Sequence, residues 1–125
     1  MINTVTLRAT RAGHDYWAEL EVEYQWSMTG DRLFMTTQRY RAKKNGQKNG
    51  NLKVGLASLP QGNTGWMQLI DNGVQDGEWH DLVIFKHVEA NRQSGTLYFN
   101  WIYDRKNVTD VNMTGEVDVK YVRPV

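Results

Sequence analysis

The chain contains no cysteine, which removes disulfide staples, thiol nucleophiles and thiolate metal sites together. Its two prolines are Pro60, in a loop setting, and Pro124, at the terminus. Charge of one sign is also missing: 15 Lys and Arg against 14 Asp and Glu leave a net charge of +1. Nothing global therefore argues for nucleic acid or a membrane surface. No segment approaches the roughly 18 consecutive apolar residues that a membrane span needs. The opening stretch, "MINTVTLRATRAGHD", lacks the basic start and apolar run of a secretory signal, and the compartment stays open. No run of ten or more residues shows a helical period, and there is no repeat or low-complexity tract. What remains is 125 residues, 40% hydrophobic and 23% charged, ordinary for a single domain spanning 1–125. A chain of this length can bury about two-thirds of its unfolded surface in one core.

What the chain has instead is period two. Val5, Leu7 and Ala9 alternate with Thr6, Arg8 and Thr10. Ala18, Leu20, Val22, Tyr24 and Trp26 alternate with Glu19, Glu21, Glu23 and Gln25. Leu97, Phe99, Trp101 and Tyr103 alternate with Tyr98 and Asn100, and Val117 and Val119 with Glu116 and Asp118. Successive strand side chains point to opposite faces, so each pattern gives one buried and one wetter face. Segments 32–43 and 79–88 are strand-like but mixed, and both faces of 32–43 carry apolar residues. Shorter strands fit 52–59 and 66–70. Thr29-Gly30-Asp31, Asn45-Gly46, Asn49-Gly50, Asp71-Asn72-Gly73, Asp76-Gly77 and Ser94-Gly95 supply turn chemistry between the runs. The expectation is an all-β fold, an antiparallel β-sandwich or jelly roll of eight or nine strands.

Two stretches carry a resemblance. "DGEWHDLVIF", Asp76 to Phe85, and the partner strand in "ANRQSGTLYFNW" resemble concanavalin-like jelly rolls, including laminin-G-type domains. "ELEVE", Glu19 to Glu23, is similar to the acidic strand of laminarinase- and lichenase-like glycoside hydrolases. In those enzymes the middle acid is Asp where this chain has Glu21, and more strands precede the motif. The resemblance implies a jelly roll and, for a hydrolase, Glu19 as nucleophile and Glu23 as acid/base. The residues themselves leave two readings. Alternate strand residues lie about 6.6 Å apart, and retaining glycosidases hold their carboxyls about 5–5.5 Å apart. Three parallel acids also repel, which suits an exposed face paired with Arg or Lys across the sheet.

Other candidates are weighed in the same way. The stretch "RYRAKKNGQKNGNLK", Arg39 to Lys53, holds six basic residues and no acid. It fits an anionic partner or, more simply, a solvated hairpin tip, and nucleic acid is not the expected partner. Five Trp, six Tyr and three Phe are many for this length. Aromatic faces stack on sugar rings while polar neighbours bind the hydroxyls. Trp26, Trp79 and Trp101 fall on core positions. Trp66, between Gly-rich turns, fits a loop edge, and Trp17 a half-exposed site. Tyr98 and Asn100 face away from the core and would bind sugar if they shared a concave face with Gln38 or Arg39. The candidate binding set is therefore Trp66, Arg39, Arg41, Tyr98, Asn100 and Trp17. His14, His80 and His87 lack chelate spacing. The oxygen-rich turns at Asp71 and Asp76 are short of a full Ca²⁺ ligand set, so no cofactor is expected. The leading expectation is a non-catalytic carbohydrate-binding module. The alternatives are a structural or protein-interaction sandwich, such as a virion, secretion or toxin–immunity component, which would include self-assembly, and a hydrolase built on Glu19, Glu21 and Glu23.

Overall fold

The computed structural model describes residues 2–123, so Pro124 lies outside the described residues. Among the described residues ten strands form two antiparallel sheets. The first sheet is β1 (Asn3–Ala9), β2 (Ala18–Trp26) and β3 (Arg32–Ala42), with β7 (His80–Asp81) and β8 (Phe85–Glu89) both paired to β3. The second is β10 (Val111–Lys120), β9 (Ser94–Tyr103) and β4 (Gly50–Ser58), with β5 (Gly62–Asn63) and β6 (Met67–Gly73) both paired to β4. The alternation thus produces the expected all-β antiparallel sandwich. The count exceeds the expected eight or nine because segment 79–88 divides into β7 and β8 and the two-residue β5 is added. The chain passes from the first sheet to the second at β3–β4 and again at β8–β9. Because β3 pairs with β8 and β4 with β9, the two crossings interlock the sheets. Thr10 and Thr114 exchange backbone hydrogen bonds of 3.1 and 3.2 Å, joining the edges of β1 and β10. Among the described residues no helix is long and apolar enough to cross a membrane.

The core lies between the sheets. Leu7, Leu20, Val22, Leu33 and Met35 enter it from one side, and Leu52, Val54, Leu56, Leu97, Phe99 and Trp101 from the other. Each such side chain contributes about 2 kcal/mol by leaving water. The mixed character of 32–43 has a specific cause. Glu21 faces Arg39 but Val22 faces Thr37, so Gln38 is an extra residue in β3. This bulge switches the buried set from Leu33, Met35 and Thr37 to Tyr40 and Ala42. A single strand therefore buries odd positions at one end and even positions at the other. Arg39 and Arg41 reach the outer face only because of that switch.

Three expectations are corrected. Segment 79–88 is not one strand. Between β7 and β8 the chain leaves the ladder, and the buried Thr37 hydroxyl donates to the Leu82 carbonyl and accepts from the Ile84 N–H at 2.9 Å. Asp71-Asn72-Gly73 is not a turn but the end of β6. Gly73 pairs with Gly50, and a Cβ on either would meet the Trp101 ring at 2.3–2.4 Å; these glycines clear space for Trp101 rather than bend the chain. The basic stretch is not a hairpin tip, since β3 and β4 belong to different sheets.

That crossing is tied down by a residue with no sequence signal. Gln75 is fully buried. Its Oε1 accepts from Trp101 Nε1 at 3.0 Å and from the Asp104 N–H at 2.9 Å. Its Nε2 donates to Asn45 Oδ1 at 2.8 Å and to the Asp104 carbonyl at 2.9 Å. With the amide fully satisfied, one side chain holds three loops against the core.

Candidate functional site

The acidic row faces outward from the first sheet, and the neighbours of Glu19 and Glu21 are arginines. Glu19 pairs with Arg8 on β1 and Arg41 on β3, and Glu21 with Arg39. Arg8 Nη1 donates to Glu19 Oε2 at 3.1 Å; Arg41 donates to Glu19 Oε1 through Nε at 2.8 Å and Nη2 at 2.7 Å. Arg39 Nη2 donates to Glu21 Oε2 at 3.1 Å. The Glu19 side chain is only 14% exposed beneath these contacts. Both of its oxygens accept charge-assisted hydrogen bonds, which are strong and geometrically fixed.

Two tryptophans complete the layer. The Arg39 and Arg41 guanidinium carbons lie 4.3 and 4.4 Å from the Trp79 ring centroid, and those of Arg8 and Arg41 lie 5.1 and 5.6 Å from Trp17. The order of contact is Arg8, Trp17, Arg41, Trp79, Arg39. Planar guanidinium groups stack on aromatic faces while their N–H groups bond in plane. Trp79, expected in the core, is instead half-buried in this outer ladder. The reason is the short β7: Tyr40 turns inward and His80 stacks on its ring at 5.4 Å, leaving the preceding Trp79 to cover the arginines. His80 also bonds Asp76 at 2.9 and 3.0 Å. That bond, with the Glu78 N–H, holds the Asp76 carboxyl below its usual range. Among the described residues no three His, Asp or Glu side chains converge as a metal site would require.

Farther along the same face the chemistry changes. Thr36 pairs with Phe85 and Phe34 with His87. Phe34 and Phe85 stack at 5.9 Å, and Phe85 is 55% exposed. Ile2, Glu23, Tyr24 and Gln25 share this shallow cleft. Glu23 thus sits with the aromatics, apart from the Glu19 and Glu21 network.

The outer face of the second sheet is built around Tyr98 and Trp66. Tyr98 pairs with Gly55, and its ring covers that glycine so closely that a Cβ there would lie 1.9 Å from Tyr98 Cε2. Its hydroxyl donates to Asn63 Oδ1 at 2.6 Å. Trp66 stands edge-on to it, with centroids 4.7 Å apart and planes at 87°. Trp66 is 50% exposed. Asn100, on the same strand, is 5% exposed and committed to β10: its Nδ2 donates to the Met113 carbonyl at 3.0 Å and to Asn112 Oδ1.

The six candidate binding residues therefore divide between opposite sides of the sandwich. Trp17, Arg39 and Arg41 lie on the first sheet with Glu19 and Glu21, while Trp66, Tyr98 and Asn100 lie on the second. The concave face shared by Tyr98, Asn100, Gln38 and Arg39 does not exist, because β9 and β3 belong to different sheets. Gly55 and Asn63 complete the platform without having been singled out, although a lone glycine inside an apolar strand marks a close approach. No protein-family model, curated protein or solved structure matches this chain.

Proposed function

We propose that the protein is a non-catalytic carbohydrate-binding module whose ligand site is the Trp66–Tyr98 platform. The observation that carries this reading is the half-exposed indole of Trp66, set perpendicular to a tyrosine ring braced on Gly55 and Asn63. The exposed indole presents a flat apolar surface to the C–H face of a pyranose, and the Tyr98 ring, held over Gly55 and bonded to Asn63, stands at right angles beside it. Asn63, bonded to the Tyr98 hydroxyl, and Lys53, two residues from Gly55 along β4, supply polar groups suited to the sugar hydroxyls. The bracing of Tyr98 means that its ring loses little freedom on binding. Catalysis on the acidic row gains no support, since the Glu19 and Glu21 carboxylates are taken up by arginines. A glycan array read beside tryptophan fluorescence tests the proposal. Binding that quenches fluorescence and is lost in Trp66→Ala, but not in Trp17→Ala, supports it; an absence of binding across neutral and acidic glycans overturns it.

A second reading rests on its own observation. Ile2, Phe34 and Phe85 form an exposed apolar patch at the far end of the first sheet, and such patches serve protein contacts. Sizing of wild type against Phe85→Ser separates this reading: a concentration-dependent complex lost in the variant favours it, and a strict monomer opposes it.

A further inference from the structure

The geometry points to an oxyanion site at one end of the sandwich, in a pocket of about 280 Å³ lined by Arg11, His14, Arg105, Thr109, Asp110 and Asn112. The ligand chemistry is a tetrahedral oxyanion, carried free or as a phosphate or sulfate monoester. The site is separate from the carbohydrate platform and does not rest on it.

Two guanidinium groups are tethered to the same stretch of backbone. Arg105 Nε donates to the Thr109 carbonyl at 2.7 Å, and Arg11 Nη1 donates to the Asn112 carbonyl at 3.3 Å. These carbonyls lie three residues apart on the segment that enters β10, so both forks are held at one mouth. Arg105 is further fixed by Tyr16, whose ring centroid lies 5.7 Å from its guanidinium carbon. Tyr16 is itself stacked on the buried Tyr103 at 4.4 Å. His14 flanks the same ring at 6.4 Å.

The decisive contrast is with Arg8, Arg39 and Arg41, each ion-paired to a glutamate within 3.1 Å. Among the described residues neither Arg11 nor Arg105 lies within 4.0 Å of a carboxylate. Asp110 is the one acid in the lining, and its Oδ1 accepts from the Arg105 backbone N–H at 3.1 Å. A guanidinium has five N–H donors, so one backbone bond each leaves most of both forks unused. Paired, pre-positioned forks recognise phosphate or sulfate bidentately. The pocket volume exceeds that of an inorganic anion and leaves room for the substituent of an ester.

Calorimetric titration at low ionic strength, where surface charge is least screened, tests the site with inorganic phosphate and glucose 6-phosphate. Both should bind saturably. Tighter binding of glucose 6-phosphate would identify an ester as the source, and equal binding the free anion. Arg11→Gln and Arg105→Gln should each weaken binding about tenfold. Arg11 is exposed, so its variant carries the test even if Arg105→Gln disturbs Tyr16. Asp110→Asn keeps the acceptor for the Arg105 N–H, removes the negative charge and should tighten binding severalfold. Trp66→Ala should leave phosphate binding unchanged, which separates this site from the platform. No saturable binding of either probe, or binding that Arg11→Gln leaves intact, overturns the inference.

Discussion

The two outer faces of the sandwich both carry tryptophan and put it to opposite ends. On the first sheet Trp17 and Trp79 are covered by arginines, and those arginines are held by Glu19 and Glu21. Arg8, Arg39 and Arg41 each have a glutamate partner and a ring to lie on, and of their nitrogens only Arg39 Nε is buried without an acceptor. On the second sheet Trp66 rests edge-on against Tyr98 and keeps half its surface open. A charged layer satisfied by itself stabilises a sheet; an aromatic plane braced from below and left uncovered has surface to offer a ligand. Richness in tryptophan is thus no guide to a site until its neighbours are known.

The comparison can be broken or sharpened by experiment, beginning with the largest expected effect on stability. Gly55→Val places side-chain atoms where the Tyr98 ring lies. It should cost about 3 kcal/mol by overpacking in a denaturant melt and abolish ligand binding with it. A variant that keeps both would show that the platform is not braced as described.

The interior between the faces gives an effect of similar size through pH. Burial, reinforced by neighbouring Tyr16, raises the Tyr103 phenol from 10.0 to about 12. A group raised in the folded state contributes stability that is intact below pH 10 and lost as pH rises towards 12. The loss amounts to about 3 kcal/mol at its limit. Tyr103→Phe should flatten this alkaline limb while losing the 2.7 Å hydrogen bond to the Lys43 carbonyl, worth about 1 kcal/mol. An unchanged pH profile would contradict the assignment.

Next comes the arginine ladder. Glu19→Gln leaves Arg8 and Arg41 short of a counter-charge and should destabilise by about 2 kcal/mol, less than a fully buried pair because the arginines are partly in water. Chemical denaturation in low and high salt should show the difference shrinking as salt rises. A neutral substitution would mean the ladder is ornamental. The smallest stability effect belongs to Trp66→Ala, about 1 kcal/mol by thermal melting, for the edge contact with Tyr98 that it removes. A large loss would instead make Trp66 a packing residue.

Much of the fold was legible in the alternation. Leu20 and Val22 face inward and the glutamates outward because a strand cannot do otherwise, and Trp26 and Trp101 lie in the core. The misses have one origin, since contacts between distant segments leave little local trace. The Gln38 bulge depends on how β2 pairs with β3. Trp79 left the core because β7 is short and Tyr40 turned inward. Gly50 and Gly73 looked like turn residues but exist to admit Trp101. Gln75 gave no signal, since its four hydrogen-bonding partners come from residues 45, 101 and 104. The candidate residues were individually reasonable, but dividing them into two faces required the strand order.

The most direct test follows the five indole N–H signals by NMR during titration with neutral oligosaccharides. The Trp66 resonance should shift saturably while those of Trp17 and Trp79 stay in place beneath their arginines. Movement of Trp17 or Trp79 instead, or a silent Trp66 across the panel, would contradict the assignment of the second sheet as the binding face.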